Sequence, residues 1–500
     1  MDRKKVIIIG SGLGGLSSGV VLAKNGYRVT VLEQDALPGG CLQCFCRRGV
    51  KFETGMHFIG SADEGQILNK MMRYLEIDGQ VELARLDTDR YNVVSLQGEE
   101  FEFANGREAF IERMASRFPG QTDNLARYCR LVESISAASS LHTLKYGQTD
   151  GAVTAEYQLR SVNEVVEEII TDSLLQKVLV GDLPLYAAVR DKTPFSVHAF
   201  IMDFYNRSAF RFVGGSDVLV RALTDVLTGH GGEVRTRSRV TRIVCDATHA
   251  IGVEVNGGEL LPADYVISAA HPMRTMEMLG DTHLIRPAFR KRIASIPQTI
   301  GGFSVYLHFK ENKVPYMNHN YFAYDTDTPW GCEQYDEESW PKGYLYMHVC
   351  DRAGQEFARS GILLTYMRMD ELMAWQDTVP GRRGADYEAF VDGRARRLIA
   401  ALDRRFPGIK DNIECFYVSS PLTYRDYTGT QDGSIYGVAK DITLGSAGRV
   451  PHKTRIPNVF MTGQNVNSHG MLGVIVGTMV TCGEFLTPKY IYEQILEANK

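Results

Sequence analysis

The feature that most constrains this chain is an apolar strand pattern that runs directly into a glycine-rich turn near the N-terminus. Residues 6–9 are a β-branched run, typical of a strand buried on both faces of a parallel sheet. The sequence GSGLGG follows at residues 10–15, and residues 16–25 have a helical pattern. Glu33 then ends a second strand pattern. This order predicts a dinucleotide-binding βαβ unit.

Each glycine of the turn has a physical reason. Gly10 permits the tight turn, Gly12 lets the backbone approach a pyrophosphate, and Gly15 lets the helix pack closely on the strand. The helix start adds free N–H groups and a positive dipole end, which favour phosphate. Glu33 is predicted to accept hydrogen bonds from ribose hydroxyls, and its charge would repel the 2′-phosphate of an NADP-type ligand.

Length and charge exclude several classes of protein. Five hundred residues predict about two to three domains. A net charge of −5 and a pI of about 6.2 leave no basic excess for binding nucleic acid. No apolar run reaches the ~18 residues that a membrane span needs, and the N-terminus predicts a first strand rather than a signal peptide. Nine cysteines in so long a chain do not suggest a disulfide framework, so we expect a reducing compartment, most simply the cytoplasm.

Further motifs carry a family resemblance. They are PGGC at 38–41, FETGMHFIG at 52–60, FVGGS at 212–216, YVISAAHP at 265–272, NVFMTGQN at 458–465 and SHGMLGV at 468–474. With GSGLGG, these segments resemble the FAD-dependent carotenoid desaturases, carotenoid isomerases and retinol saturases, a group related to amine oxidases and GDP-dissociation inhibitors. The sequence CLQCFC at 41–46 departs from the pattern, because the group has a shorter turn there that contains Thr or Ser.

The resemblance implies an α/β fold with a Rossmann-like FAD-binding domain and a discontinuous α+β substrate domain. The FAD-binding domain is expected from residues 1–65, 206–284 and 416–500, and the substrate domain from 66–205 and 285–415. The residues predicted to bind FAD are Gly10, Ser11, Gly12, Leu13, Gly14, Gly15, Glu33, Gln34, Gly40, Met56, His57, Val240, Gly463, Met471, Leu472, Gly473 and Val474.

The sequence contains a second strand–glycine–helix junction but no second GxGxxG unit. Residues 459–461 form a short apolar strand pattern, Gly463 follows, and Gly470 and Gly473 open a helical run. Such a helix start can bring N–H groups to the N1/O2 edge of a flavin, although a buried terminal helix would show the same pattern. Because a separate NAD(P)H domain is not predicted, electrons are expected to pass to or from a transient donor or acceptor.

Candidates for proton transfer are His57, His469 and Tyr436, each of which has a purely structural role as its alternative. The cluster Cys41, Cys44 and Cys46 has three interpretations. A metal site would need a fourth ligand and is not predicted, a redox thiol pair is a second interpretation, and packing beside the flavin is the default.

The resemblance implies three possible functions. The first is an FAD-dependent oxidoreductase that desaturates, saturates or isomerises a lipophilic polyene or isoprenoid-like substrate. The second is an FAD-dependent amine or porphyrinogen oxidase, and the third is a non-enzymatic binder of prenyl lipid or prenylated protein. The many Tyr, Phe and Met residues suit an apolar, adaptable pocket. An apolar substrate allows peripheral membrane contact, and the oligomeric state stays open.

Overall fold

The structure is a computed structural model, and it describes residues 3–147, 151–430, 432–466 and 468–500. The first two residues of the predicted FAD-binding domain lie outside the described residues. The strands, in chain order, are β1 (Lys5–Ile9), β2 (Arg28–Leu32), β3 (Cys44–Arg47), β4 (Val50–Glu53), β5 (Ile59–Gly60), β6 (Leu83–Arg85), β7 (Asn92–Leu96), β8 (Glu99–Phe103), β9 (Ala209–Phe212), β10 (Glu233–Arg235), β11 (Val240–Cys245), β12 (Ala250–Val255), β13 (Glu259–Pro262), β14 (Tyr265–Ser268), β15 (Gly302–Phe309), β16 (Asn320–Tyr324), β17 (Gly343–His348), β18 (Ser360–Tyr366), β19 (Ile413–Ser419) and β20 (Val459–Met461).

Helices connect and cover these strands. The α-helices, in chain order, are α1 (Leu13–Lys24), α2 (Ile67–Tyr74), α3 (Arg107–Arg117), α4 (Thr122–Ala137), α5 (Ser140–Thr143), α6 (Gly151–Tyr157), α7 (Val162–Ile169), α8 (Ser173–Leu179), α9 (Phe195–Arg207), α10 (Asp217–Gly229), α11 (Pro272–Met278), α12 (Pro287–Ala294), α13 (Ala385–Arg405), α14 (Pro421–Thr428), α15 (Gly470–Leu486) and α16 (Pro488–Glu497). Short 3₁₀ turns include Gly40–Leu42 and Leu183–Leu185.

A five-stranded parallel sheet holds the predicted nucleotide-binding unit. Its order is β10-β2-β1-β14-β20, and β1 is its central strand. Because side chains alternate along a strand, Val6 and Ile8 pack in a core with α1, α10 and α15, while Ile7 and Ile9 pack with β11 and β12. Burial on both faces explains the unbroken apolar run in the sequence.

A seven-stranded sheet is the main sheet of the predicted substrate domain, which we call the substrate half of the molecule. Its order is β19-β15-β18-β17-β16-β7-β8, and all neighbours are antiparallel except β16 and β7. Both predicted substrate segments contribute strands to it. The boundary expected between residues 415 and 416 falls within β19, whose whole length pairs with β15. The strand therefore lies with the substrate sheet, since sheet pairing rather than local pattern decides its partner.

Helices α15 and α16 are the part of the described ranges that bears on membrane crossing. No single helix there is both long and apolar enough to cross a membrane. Helices α15 and α16 meet the length and composition criteria only as a pair, and that pair is bent by 118°. Most of α15 is buried against α1 and the parallel sheet, as expected for a core helix.

Candidate functional site

A large cavity lies between the parallel sheet and the substrate half of the molecule. Its volume is about 1640 Å³, above the ~300–1,000 Å³ typical of a pocket for one small ligand. Ile9 and Leu32, at the carboxyl ends of β1 and β2, line one side. Ligands bind at this end of parallel strands in open α/β sheets, so the cavity lies where the fold predicts.

The glycine turn forms an open cradle in the wall of this cavity. Gly10 has φ +93°, which other residues rarely adopt. Gly12 lines the cavity, and a Cβ built on it would meet nothing within 4 Å. The unpaired N–H groups at the start of α1 lie at this open space. These features fit a pyrophosphate, which a side chain at residue 12 would exclude.

Glu33 lies in the same wall and is held in place by Ser11. Its Oε2 accepts hydrogen bonds from the Ser11 backbone N at 3.0 Å and from the Ser11 Oγ at 2.5 Å. Its Oε1 accepts one from the backbone N of Asp35 at 2.9 Å. Ser11 therefore orients this carboxylate, and the predicted contact of Glu33 with a ribose stays a prediction that the geometry allows.

All the residues predicted to bind FAD line the cavity, with the exception of Gly15. A Cβ on Gly15 would lie 2.0 Å from the Gly10 carbonyl oxygen, so this residue serves the close packing of α1 on β1. This is the packing role that the sequence predicts for Gly15, and its place among the FAD-binding residues stays a prediction. The direct roles of the other predicted residues stay predictions.

The second glycine junction meets the first one directly. Strand β20 leads to Gly463, which has φ +95°, and α15 begins at Gly470 with His469 as its N-cap. A Cβ on Gly14 would lie 2.8 Å from the Gly463 Cα, so the two turns are in backbone contact. The cavity lining continues from the α1 turn to the start of α15, whose positive dipole end fits the N1/O2 edge of a flavin.

His57 lies in the cavity wall beside a buried carboxylate that the sequence analysis missed. Its Nδ1 is 3.4 Å from the Glu53 Oε2, and the Glu53 Oε1 accepts a hydrogen bond from the Ser216 backbone N at 3.0 Å. Arg211, also buried, donates from Nη1 to the His57 carbonyl oxygen at 3.3 Å. These contacts fix the position of His57 from both its ring and its backbone.

His469 also lines the cavity, but its ring is tied to the substrate half. Its Nε2 donates to the Leu185 carbonyl oxygen at 3.2 Å, so this nitrogen carries the proton of the neutral ring. Burial, together with the positive charge of Lys440, lowers the pKa of His469 to about 4. A neutral ring in this tautomer can accept a proton on Nδ1 but has none free to donate.

Tyr436 is hydrogen-bonded to the 3₁₀ turn Leu183–Leu185, the turn that also binds the His469 ring. Its hydroxyl donates to the Pro184 carbonyl oxygen at 2.7 Å, and its ring centroid lies 4.6 Å from that of His469. Burial raises the pKa of Tyr436 above its ordinary value. All three residues predicted to transfer protons therefore line one cavity. The hydroxyl proton of Tyr436, however, is already donated to a backbone carbonyl group.

Two cavity residues that the sequence analysis missed are Tyr205 on α9 and Lys440. Within the described ranges, neither the Tyr205 hydroxyl nor the Lys440 Nζ has a hydrogen-bond partner or an ion pair. The Tyr205 ring packs against Phe58 and Phe204 with centroid distances of 4.7 and 5.0 Å. No local sequence pattern marks either residue, because each reaches the cavity through tertiary packing.

The three clustered cysteines do not converge on one point. Cys41 lines the cavity, whereas Cys46 is exposed on β3. Cys44 lies 3.5 Å from the Ser216 Oγ, and burial, with the nearby Glu53 carboxylate, raises its pKa to about 12. Within the part of the chain that the structure describes, no group of three or more His, Cys, Asp and Glu residues is arranged to hold a metal ion. The arrangement favours packing for Cys44.

Comparison with known proteins adds to this geometry. A profile of the flavin containing amine oxidoreductases matches residues 13–351. All-trans-retinol 13,14-reductase from Homo sapiens is 27% identical over 99% of this chain and 87% of its own length. Phytoene desaturase (neurosporene-forming) from Cereibacter sphaeroides is 26% identical over 95% of this chain and 93% of its own length. The crystal structure of an oxidoreductase from Methanosarcina mazei has the same fold, with a TM-score of 0.66 and 17% identity over 95% of this chain and 99% of that one.

Proposed function

This chain belongs to the family of flavin containing amine oxidoreductases and is an FAD-dependent oxidoreductase, and from that premise we propose that it changes the double bonds of a lipophilic polyene or isoprenoid. The observation that carries the proposal is the continuity of one cavity from the nucleotide-binding turn to an apolar wall. Two relatives with polyene substrates in their names match nearly the whole chain and support the same substrate class.

The apolar wall comes mainly from the substrate half. Helix α9 and the seven-stranded sheet supply aliphatic and aromatic side chains, among them Val197, Phe200, Ile201, Phe204, Leu345 and Leu364. Burying a hydrocarbon chain against such a wall contributes about 25 cal/mol per Å² of apolar surface removed from water. The wall also excludes water from the double bonds of a bound polyene.

When bound, FAD supplies the two-electron exchange with a substrate carbon, and the protein must supply or remove a proton. Tyr205 on α9 is our candidate, because it lines the cavity and its hydroxyl has no hydrogen-bond partner among the described residues. Burial raises the pKa of Tyr205, so the phenol keeps its proton at neutral pH. Neutral His469 can accept a proton but has none to donate at that pH.

Replacing Tyr205 with phenylalanine is expected to lower turnover by about 100-fold, the lower range for loss of a positioned acid or base. Tyr436→Phe is the matched control, and we expect it to change turnover by less than about threefold, because the Tyr436 proton already serves the Pro184 carbonyl. Both variants should retain stoichiometric flavin. Similar small effects from both substitutions would show that Tyr205 does not carry the proton.

Electrons must also enter or leave the site. The parallel sheet of the described residues contains one glycine turn of the dinucleotide-binding type, at Gly10–Gly15 in the sequence, and no second such unit precedes a helix there. We therefore keep a transient external donor or acceptor as part of the proposal. A cytoplasmic location and peripheral membrane contact also stay predictions.

Amine oxidation is the second candidate, favoured by the name of the family. The cavity wall disfavours it, because Lys440 has no ion pair among the described residues and would repel a protonated amine. The decisive experiment is anaerobic mixing of the oxidised and the reduced flavoprotein with polyenes, retinoids, amines and porphyrinogens, followed by flavin absorbance and product chromatography.

We expect a polyene or retinoid to change the flavin spectrum or to be converted to an isomer, and amines to have no effect. The Gly12→Ala variant, which is expected to retain no flavin, serves as the control for cofactor dependence. Rapid flavin reduction by an amine, with polyenes inert, would overturn the proposal in favour of the second candidate.

A further inference from the structure

Lys440 is an uncompensated cation in the wall of the cavity. It lies a few residues beyond Gly437, and within the described ranges its Nζ forms no ion pair and no hydrogen bond. Burial, together with the nearby charge of Arg449, lowers the pKa of Lys440 to about 8. Lys440 is half-buried, and an ammonium group partly removed from water without a partner costs free energy, so an occupant that supplies the opposite charge would be favoured there.

The acidic residues of the cavity wall do not supply that charge. Each of the four is engaged elsewhere: Glu33 with Ser11, Glu277 with Arg274, Asp426 with Arg383 and Arg425, and Asp441 with Thr443. The last case matters most, because Asp441 is the chain neighbour of Lys440. Its Oδ1 accepts from the Thr443 backbone N at 2.8 Å and from the Thr443 Oγ1 at 2.6 Å.

The surroundings of Lys440 show where along the cavity this charge lies. Lys440 is close enough to His469, at the start of α15, for its charge to help lower the pKa of that ring. Exposed Arg449 is also near Lys440 and donates to the Gln158 Oε1 just beyond α6. The apolar side chains of Leu159 and Leu185 line the same cavity. Arg449 marks a solvent-exposed rim of this wall, and Lys440 lies near it.

We propose that Lys440 binds a carboxylate at one end of the lipophilic substrate, so that the preferred substrates are polyene or isoprenoid acids rather than the matching alcohols or hydrocarbons. The inference rests on the proposed function and adds the end group of its substrate. A carboxylate fits a single ammonium through a charge-assisted hydrogen bond, while the rest of the molecule remains against the apolar wall. Arg449 at the rim adds a second positive charge that favours the same end group.

The test compares two ligands that share one polyene chain, all-trans-retinoic acid and all-trans-retinol, as ligands of the FAD-loaded enzyme. Dissociation constants are measured from the perturbation of the flavin spectrum and from ligand retained after gel filtration. We expect the wild type to bind the acid at least about tenfold more tightly than the alcohol. Lys440→Met should remove that preference and change the affinity for the alcohol by less than about twofold, while Lys440→Arg should keep most of it.

Lys453→Met is the matched control, because Lys453 pairs with Glu484 and does not line the cavity. It should leave both affinities unchanged. Equal binding of acid and alcohol by the wild type would overturn the inference and leave the proposed function intact. Failure of both retinoids, and of the wider polyene panel, to bind would overturn both proposals.

A third result would also overturn the inference. If Lys440→Met lost FAD, or changed the flavin spectrum in the absence of any retinoid, the positive charge would serve the cofactor rather than the substrate. The flavin content and spectrum of each variant are therefore recorded before ligand is added. The proposal requires both to match the wild type.

Discussion

Alanine at position 12 is expected to give a folded protein that does not retain FAD. Gly12 has φ −63° and ψ 176°, which alanine adopts without strain, and the new Cβ would meet no protein atom within 4 Å. The added methyl group would instead fill the cradle at the start of α1, where the backbone must approach a pyrophosphate closely. We expect flavin content near zero and a free energy of unfolding of the apoprotein within about 1 kcal/mol of the wild-type apoprotein.

Flavin absorbance after gel filtration and the thermal unfolding midpoint of the apoprotein measure the two parts of this prediction. Loss of flavin at an unchanged midpoint would support the open cradle as the phosphate site. A yellow Gly12→Ala protein with one flavin per chain would show that the phosphates do not approach this turn.

The neighbouring substitution Gly15→Ala is expected to have the opposite consequence, destabilising the fold itself. The new Cβ would lie 2.0 Å from the Gly10 carbonyl oxygen, a backbone atom that cannot move without separating α1 from β1. We expect a loss of about 3 kcal/mol of stability, the upper range for overpacking, together with loss of flavin. Thermal or urea unfolding of the apoprotein measures the change.

Gly393→Ala is the control for this experiment. Gly393 lies inside α13, and a Cβ there would meet nothing within 4 Å. Alanine should therefore stabilise the helix by up to about 1 kcal/mol. If Gly15→Ala unfolded at the same temperature as the wild type, close packing of the helix on the strand would not be the reason for glycine at this position.

The features of the fold that the sequence predicts are those determined by residues close together along the chain. The βαβ unit and the junction before α15 were predictable, because glycine spacing and apolar runs determine them over a few tens of residues. The substrate boundary near residue 415 was displaced, because β19 is defined by its pairing with distant β15. The pattern of apolar and polar residues within a strand does not show which distant strand it pairs with.

The candidate site divides in the same way. His57, His469 and Tyr436 were predicted to lie near the cofactor, and all three line the cavity. Their bonding partners were not predictable, since His469 and Tyr436 are held by carbonyl groups of a turn more than two hundred residues earlier. Tyr205 and Lys440 were missed altogether, because what distinguishes them is that their polar groups have no hydrogen-bond or ion-pair partner among the described residues.

The backbone contact between Gly14 and Gly463 has a consequence for the order of events during synthesis. About 450 residues separate the two turns along the chain, so the first turn leaves the ribosome long before the second is made. A nascent chain has only half of a flavin site while those residues are being added. We infer that cofactor capture follows synthesis of the second turn, so that cells starved of riboflavin would accumulate apoprotein that contains both turns rather than chains stalled between them.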